Sequence, residues 1–157
     1  MIGWVYFTRE HARRILVAEH LLIHNVKTIQ PEGTIMSTSL YESIGGQPAV
    51  DAAVDIFYRK VLSDDLISGF FDDVDMERQA AKQKAFLTYA FGGPAHYTGK
   101  DMRTAHAHLV ARGLNESHFQ AVAGHLKSTL EELNVPKELI DQVMAIAAST
   151  HDDVLGL

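Results

Sequence analysis

Two glycine clusters, Gly45-Gly46 and Gly92-Gly93-Pro94, cut this chain into segments whose apolar residues recur at helical spacing. Val50, Val54, Phe57 and Val61 lie three or four positions apart, as on one face of a helix, after Pro48 at an expected helix start. LYESIGG (40–46) reads as a short helix stopped by the first glycine pair, and DDLISGFF (64–71) as a brief helical turn. Asp75 is placed to cap a helix that runs to Phe91, where the second glycine cluster ends it. Asp101 caps a short helix that stops near Gly113, Asn115 opens another to about Leu133, and Pro136 starts the last. No segment alternates as a strand would, and there is no internal repeat. The expectation is an all-α domain over residues 36–157.

Residues 1–35 differ in character. Glu10 and Glu19 are scattered among arginines, so the stretch lacks the basic start and single apolar block of a secretory signal. Ile15, Leu16, Leu22 and Ile23 fall partly on one side of a helix drawn through them. Two readings stand for this N-terminal extension: a translated upstream stretch before a natural start at Met36, which is the expected one, or a docking or targeting helix. No unbroken apolar run, ILVA at 15–18 and LLI at 21–23 included, approaches the ~20 residues of a membrane span.

Composition removes several chemistries. The chain has no cysteine, which excludes disulfides, thiolate metal sites and thiol catalysis. A net charge of −6 argues against a nucleic-acid partner, which needs a concentrated basic surface. Nine histidines leave imidazole nitrogen as the donor for any metal.

Among those histidines, the pair in DMRTAHAHLV (101–110) separates by helix geometry. At 100° per residue, positions two apart face nearly opposite ways. His106 shares the stripe of Met102, Leu109 and Val110, whereas His108 shares a more solvated side with Thr104, Ala111 and Arg112. His118 and His125 stand seven residues apart, about 10.5 Å along an axis, too far to share an ion. There is no HExxH motif and no cluster of histidines with carboxylates. Two readings remain for His106: one axial bond to a metal whose other ligands come from a cofactor, as with haem iron, or a hydrogen-bonded core histidine.

A second stripe carries polar groups where apolar ones are usual. In the helix opened by Asp75 it runs Met76, Gln79, Gln83, Phe86, Ala90. Tyr58 follows Phe57 beside the Val54 and Val61 stripe. Buried, these amides and this hydroxyl would line a pocket for a small polar ligand; rotated outward, they would simply meet water.

At this point residues 39–157 resemble a known family, the group I truncated haemoglobins, particularly those of cyanobacterial type. The resemblance rests on SLYESIGG, VDIFYRKVLSDD, FFDDVDM, QKAFLTYAFGGP, YTGKDMRTAH and GLNESHFQAVAGHL, in unbroken order. It implies a two-over-two helical sandwich around haem b. It further implies His106 as the proximal iron ligand, Tyr58, Gln79 and Gln83 as distal groups, and Phe71 packed on the haem face. Tyr97 and Lys82 map near the propionates, and Met102, Phe86 and Phe119 to the pocket lining. Neither His108 nor His118 carries a role in the family.

Two positions depart from the family pattern. Lys82 stands where many cyanobacterial relatives have a histidine that can bind the iron. A lysine amine can do so only after losing its proton, so a propionate pairing is expected, with an alkaline sixth ligand as the alternative. His151, in ASTHDDVLGL, aligns with a one-residue offset to a histidine that in some relatives bonds covalently to a haem vinyl. A surface histidine is expected, with a crosslink as the alternative. The resemblance implies binding of O2, NO and CO, with NO dioxygenase-type detoxification that depends on an external reductase. The alternatives are a haem-based sensor or electron-transfer protein, or a haem-free helical module. A cytoplasmic monomer is expected.

Overall fold

Side-chain caps set where most of the helices begin. The structure, a computed structural model, describes residues 38–95 and 101–157. The readings of residues 1–35 and of Tyr97 lie outside the described residues.

Helix α1 (Leu40–Ser43) opens on a capping box: the Ser39 hydroxyl accepts from the Glu42 amide, and the Glu42 carboxylate accepts from the Ser39 amide. Helix α2 (Gly46–Leu62) starts at Gly46, two residues before the expected start at Pro48. Gly45 and Gly46 both take positive φ, 113° and 66°, so one pair turns the chain out of α1 and into α2. A 3₁₀ turn (Ser68–Phe71) follows. Helix α3 (Met76–Ala90) is capped by Asp75, and α4 (Met102–Val110) by Asp101. Helix α5 (Glu116–Glu132) is capped by Asn115, and α6 (Lys137–Ala148) follows Pro136.

The C-terminal segment corrects the expectation of one last helix. It breaks after Ala148 and resumes as α7 (His151–Leu155). The Ser149 and Thr150 hydroxyls donate back to the carbonyls of Ile146 and Ala147, at 2.6 and 2.7 Å. Those bonds compete with continuation of the helix.

Helices α2 and α3 form one hairpin and α5 and α6 another, with α2 packed on α5; α7 lies against α4 and touches α5. This is the two-over-two arrangement, and the described residues contain no strand. Val50, Val54, Val61, Ile67, Leu109, Val143 and Val154 are fully buried between the layers. Charges close the α2–α5 rim, where Lys60 meets Glu132 at 2.9 Å and Arg59 meets it at 3.1 Å. Inside, the buried polar residues are Gln79, Gln83, Thr88, His106, Thr129 and Thr150, and none is Asp, Glu, Lys or Arg among the described residues. No helix among the described residues is long and apolar enough to cross a membrane.

The end of α3 is held by close approach. The Tyr41 amide donates to the Phe91 carbonyl at 2.8 Å, and the Tyr41 ring lies across Gly93. A Cβ at Gly93 would stand 2.7 Å from that ring and 2.9 Å from the Thr88 methyl. Gly93→Ala is therefore expected to destabilise the fold by about 1–3 kcal/mol, as overpacking does, measured as a lower midpoint in urea with an unchanged slope.

Candidate functional site

His106 sits on α4 with none of its surface exposed. Its Nδ1 lies 2.8 Å from the Met102 carbonyl oxygen, one turn back. A carbonyl can only accept, so Nδ1 carries the proton and Nε2 carries the lone pair. Burial pushes the His106 pKa down; the Met102 bond opposes this, and nearby His108 adds to it. The imidazole is thus held neutral, the state a metal ligand must have. His108 is on the exposed side. His118 accepts from the Asn115 amide and packs edge-on against Phe70, and His125 pairs with Asp64 at 2.6 Å. That pairing is the main reason Asp64 is held below its ordinary carboxylate value. Among the described residues, no three histidines or carboxylates converge to hold an ion.

A second group forms between α2 and α3. Gln79 and Gln83, 2% and 4% exposed, do point inward, so the helix does not turn them to water. The Gln79 amide donates to the Tyr58 hydroxyl oxygen at 3.1 Å. Burial pushes the Tyr58 pKa well above its usual value, only partly offset by the Gln79 bond, so the phenol keeps its proton. Phe57 and Phe71 pack edge-on against the Tyr58 ring, with centroids 5.2 and 6.0 Å away. The Gln83 Oε1 atom is buried with no hydrogen-bond partner in the structure. Leaving it so costs roughly 1–3 kcal/mol, which a polar guest would offset.

Gln83 also lines a cavity of about 40 Å³ with Phe57, Phe86, Phe119, Val122 and Thr150. Its surface is almost entirely apolar. A smaller cavity of about 20 Å³ lies beside Phe71 and Leu109, and Phe119 and Val122 form walls of both. The structure thus brings Phe86, Phe119 and Gln83 to one void, and Phe71 to Tyr58. Met102 is buried one turn before His106, and Lys82 is half-buried beside Gln83. Phe57, Val122 and Thr150 are wall residues that nothing in the sequence pattern had singled out for that role. Val122 stands one turn after Phe119, a spacing that could have revealed it.

His151 is turned away from this void, while its neighbour Thr150 is 5% exposed and forms part of the wall. Both His151 ring nitrogens are engaged: Nε2 with Glu116 at 2.5 Å and Nδ1 with Asp152 at 2.7 Å. These carboxylates raise the His151 pKa, Asp152 most. The His151 ring meets Phe119 at right angles, 5.0 Å between centroids.

The arrangement has counterparts among known proteins. The family model for bacterial-like globins matches residues 39–155. A group 1 truncated haemoglobin of Synechocystis is 58% identical over 115 residues, covering 73% of this chain and 92% of that protein. The chain belongs to the group 1 truncated haemoglobins. The crystal structure of the 2/2 haemoglobin from Synechococcus, in the cyanomet state with covalently attached haem, superposes with a TM-score of 0.73 at 49% identity. It covers 76% of this chain and 100% of that one. The Fe(III) truncated haemoglobin of Tetrahymena pyriformis gives 0.71 at 40% identity, covering 75% and 98%.

The His151 contacts tie the C-terminal helix of this globin to α5, and they titrate. A raised folded pKa means that this stabilisation is complete below the ordinary value of 6.5 and is lost as pH rises through the raised one. Thermal melts of the parent should therefore lose stability over that alkaline step, and His151→Ala should abolish the step.

Proposed function

We propose that this truncated haemoglobin binds haem b through His106 and reversibly holds O2, NO or CO, with NO dioxygenase capacity that an external reductase sustains. The observation that carries the reading is the direction of one hydrogen bond. Because Tyr58 accepts from Gln79, its own O–H proton remains to be given to a guest in the pocket.

The residues present fit a haem. His106 offers a neutral, fully buried imidazole with its lone pair on Nε2, fixed in tautomer by Met102, which is the usual way a ligating histidine is oriented. Phe71, Phe86 and Phe119 are apolar surfaces suited to the porphyrin faces and edges. When bound, haem supplies an iron with one open coordination position for a diatomic gas. The chain's own part is selection among the gases. Tyr58, Gln79 and Gln83 present hydroxyl and amide dipoles to the ligand, favouring one that draws negative charge, such as O2, over CO. Solved variants of the Tetrahymena protein alter a tyrosine and two glutamines in the order and spacing of Tyr58, Gln79 and Gln83 here, which supports this assignment.

Lys82 we assign to a propionate rather than to the iron. We assign His151 no covalent bond to haem, because two carboxylates hold its ring outside the wall.

Visible spectra test the haem assignments together. Protein reconstituted with haem should show a Soret band, lose its histidine-ligated signature in His106→Ala, and keep the parent's alkaline ferric spectrum in Lys82→Ala. All of the pigment should extract into acid–butanone. For the distal group, Tyr58→Phe removes one charge-assisted donor of ~1.5–3 kcal/mol and should speed O2 dissociation by about tenfold or more in stopped flow. An unchanged rate removes Tyr58 from ligand stabilisation.

A further inference from the structure

The Tyr58–Gln79 bond is the innermost of a series. Gln47, Asp51, Asp55 and Tyr58 stand on one stripe of α2, three or four residues apart. Their partners on α3 run in the opposite order. Thr88 donates to Gln47 at 3.2 Å, Lys84 meets Asp51 at 3.8 Å and Asp55 at 2.9 Å, and Gln79 donates to Tyr58. Gln47 also donates to Asp51 at 2.9 Å, which joins the outer rungs. Two antiparallel helices are thus laced by one polar seam that starts at the surface and ends on the buried Tyr58 hydroxyl.

We propose that Lys84 is a positioning residue for the distal pocket. By bridging Asp51 and Asp55 it fixes the register and rotation of α3 against α2, and so brings the Gln79 amide onto the Tyr58 oxygen. The inference rests on the haem-pocket reading above.

Apolar packing between α2 and α3 sets their spacing and approximate register, but burial of apolar area is itself non-directional and aims a polar group less closely. Hydrogen bonds are not so forgiving. A slide of one residue moves a side chain by 1.5 Å along the axis and 100° around it, enough to part the 3.1 Å contact at Tyr58. Lys84 lies five residues beyond Gln79, about 7.5 Å along the same rigid helix, so whatever holds one places the other. Its side chain is 27% exposed and reaches two carboxylates one turn apart, 46% and 68% exposed. Exposed ion pairs contribute little to stability. Here the effect sought is geometric: a small energy directed at the orientation of two buried dipoles.

The C–O stretching frequency of the CO adduct reads the field those dipoles make, and a merely stabilising role would not move it. In Lys84→Met the band is expected to shift or split, and O2 release to quicken about two- to fivefold, the range that the coupling of such pairs supplies. Lys84→Arg should restore the parent band, and Asp51→Asn with Asp55→Asn should reproduce the Lys84→Met spectrum. Salt near 1 M, where screening acts within ~3 Å, should move the parent toward the Lys84→Met spectrum and leave Lys84→Met unchanged. A single unshifted band in Lys84→Met and in the Asn pair, whatever their melting temperatures, overturns the positioning role while leaving haem binding intact. A parent that forms no CO adduct overturns both readings.

Discussion

The hydrogen bond from Gln79 to Tyr58 is the contact on which the α2–α3 half of the molecule turns. It is the buried end of the polar seam between the two helices, and both groups are almost fully removed from water. A buried amide or hydroxyl left unmatched would destabilise the fold, so each makes the other tolerable. The same bond consumes one donor and one acceptor and leaves the phenolic proton outstanding. Under the proposed function, stability and ligand selection would therefore draw on a single pair of side chains.

His106 follows a parallel logic in the other half. Its Nδ1–H is spent on a carbonyl of its own helix, which fixes the ring and directs the basic nitrogen outward from the helix. Helix α4, which carries it, leans on α7, and α7 is in turn fastened by His151 to α5 and by the Asp153 pairing to Arg103 on α4. The far C-terminus thus supports the segment that carries His106. Thr150 and His151, adjacent in sequence, divide the labour: one walls the void and the other grips the outside.

Much of this was legible in the chain. Asp75, Asp101 and Asn115 marked helix starts because their short side chains satisfy amides that the first turn leaves open. Periodicity put His106 on an inward face and Gln79 and Gln83 on a core stripe that could still have turned to water, and the family resemblance added what each would do there. Other features were hidden for physical reasons. The break at Ser149-Thr150 depends on hydroxyls folding back onto carbonyls, which residue type permits but does not require. Asp51, Asp55 and Lys84 read as ordinary surface charge, since their meaning lies in pairing between helices rather than along one. The start of α2 at Gly46 was missed because the proline two residues on is the more conspicuous signal.

One property of the interior reaches further than any single contact. Every polar group buried among the described residues is a dipole, and its one basic member, His106, is kept uncharged by its surroundings. Among the described residues, no buried side chain carries a formal charge that could serve as a counter-ion. Among these side chains, an anion arriving from solution would find only dipoles to replace its hydration, whereas a neutral diatomic leaves little behind. The protein's own share of that interior therefore favours an uncharged guest over an anion, whatever charge a bound haem iron would add.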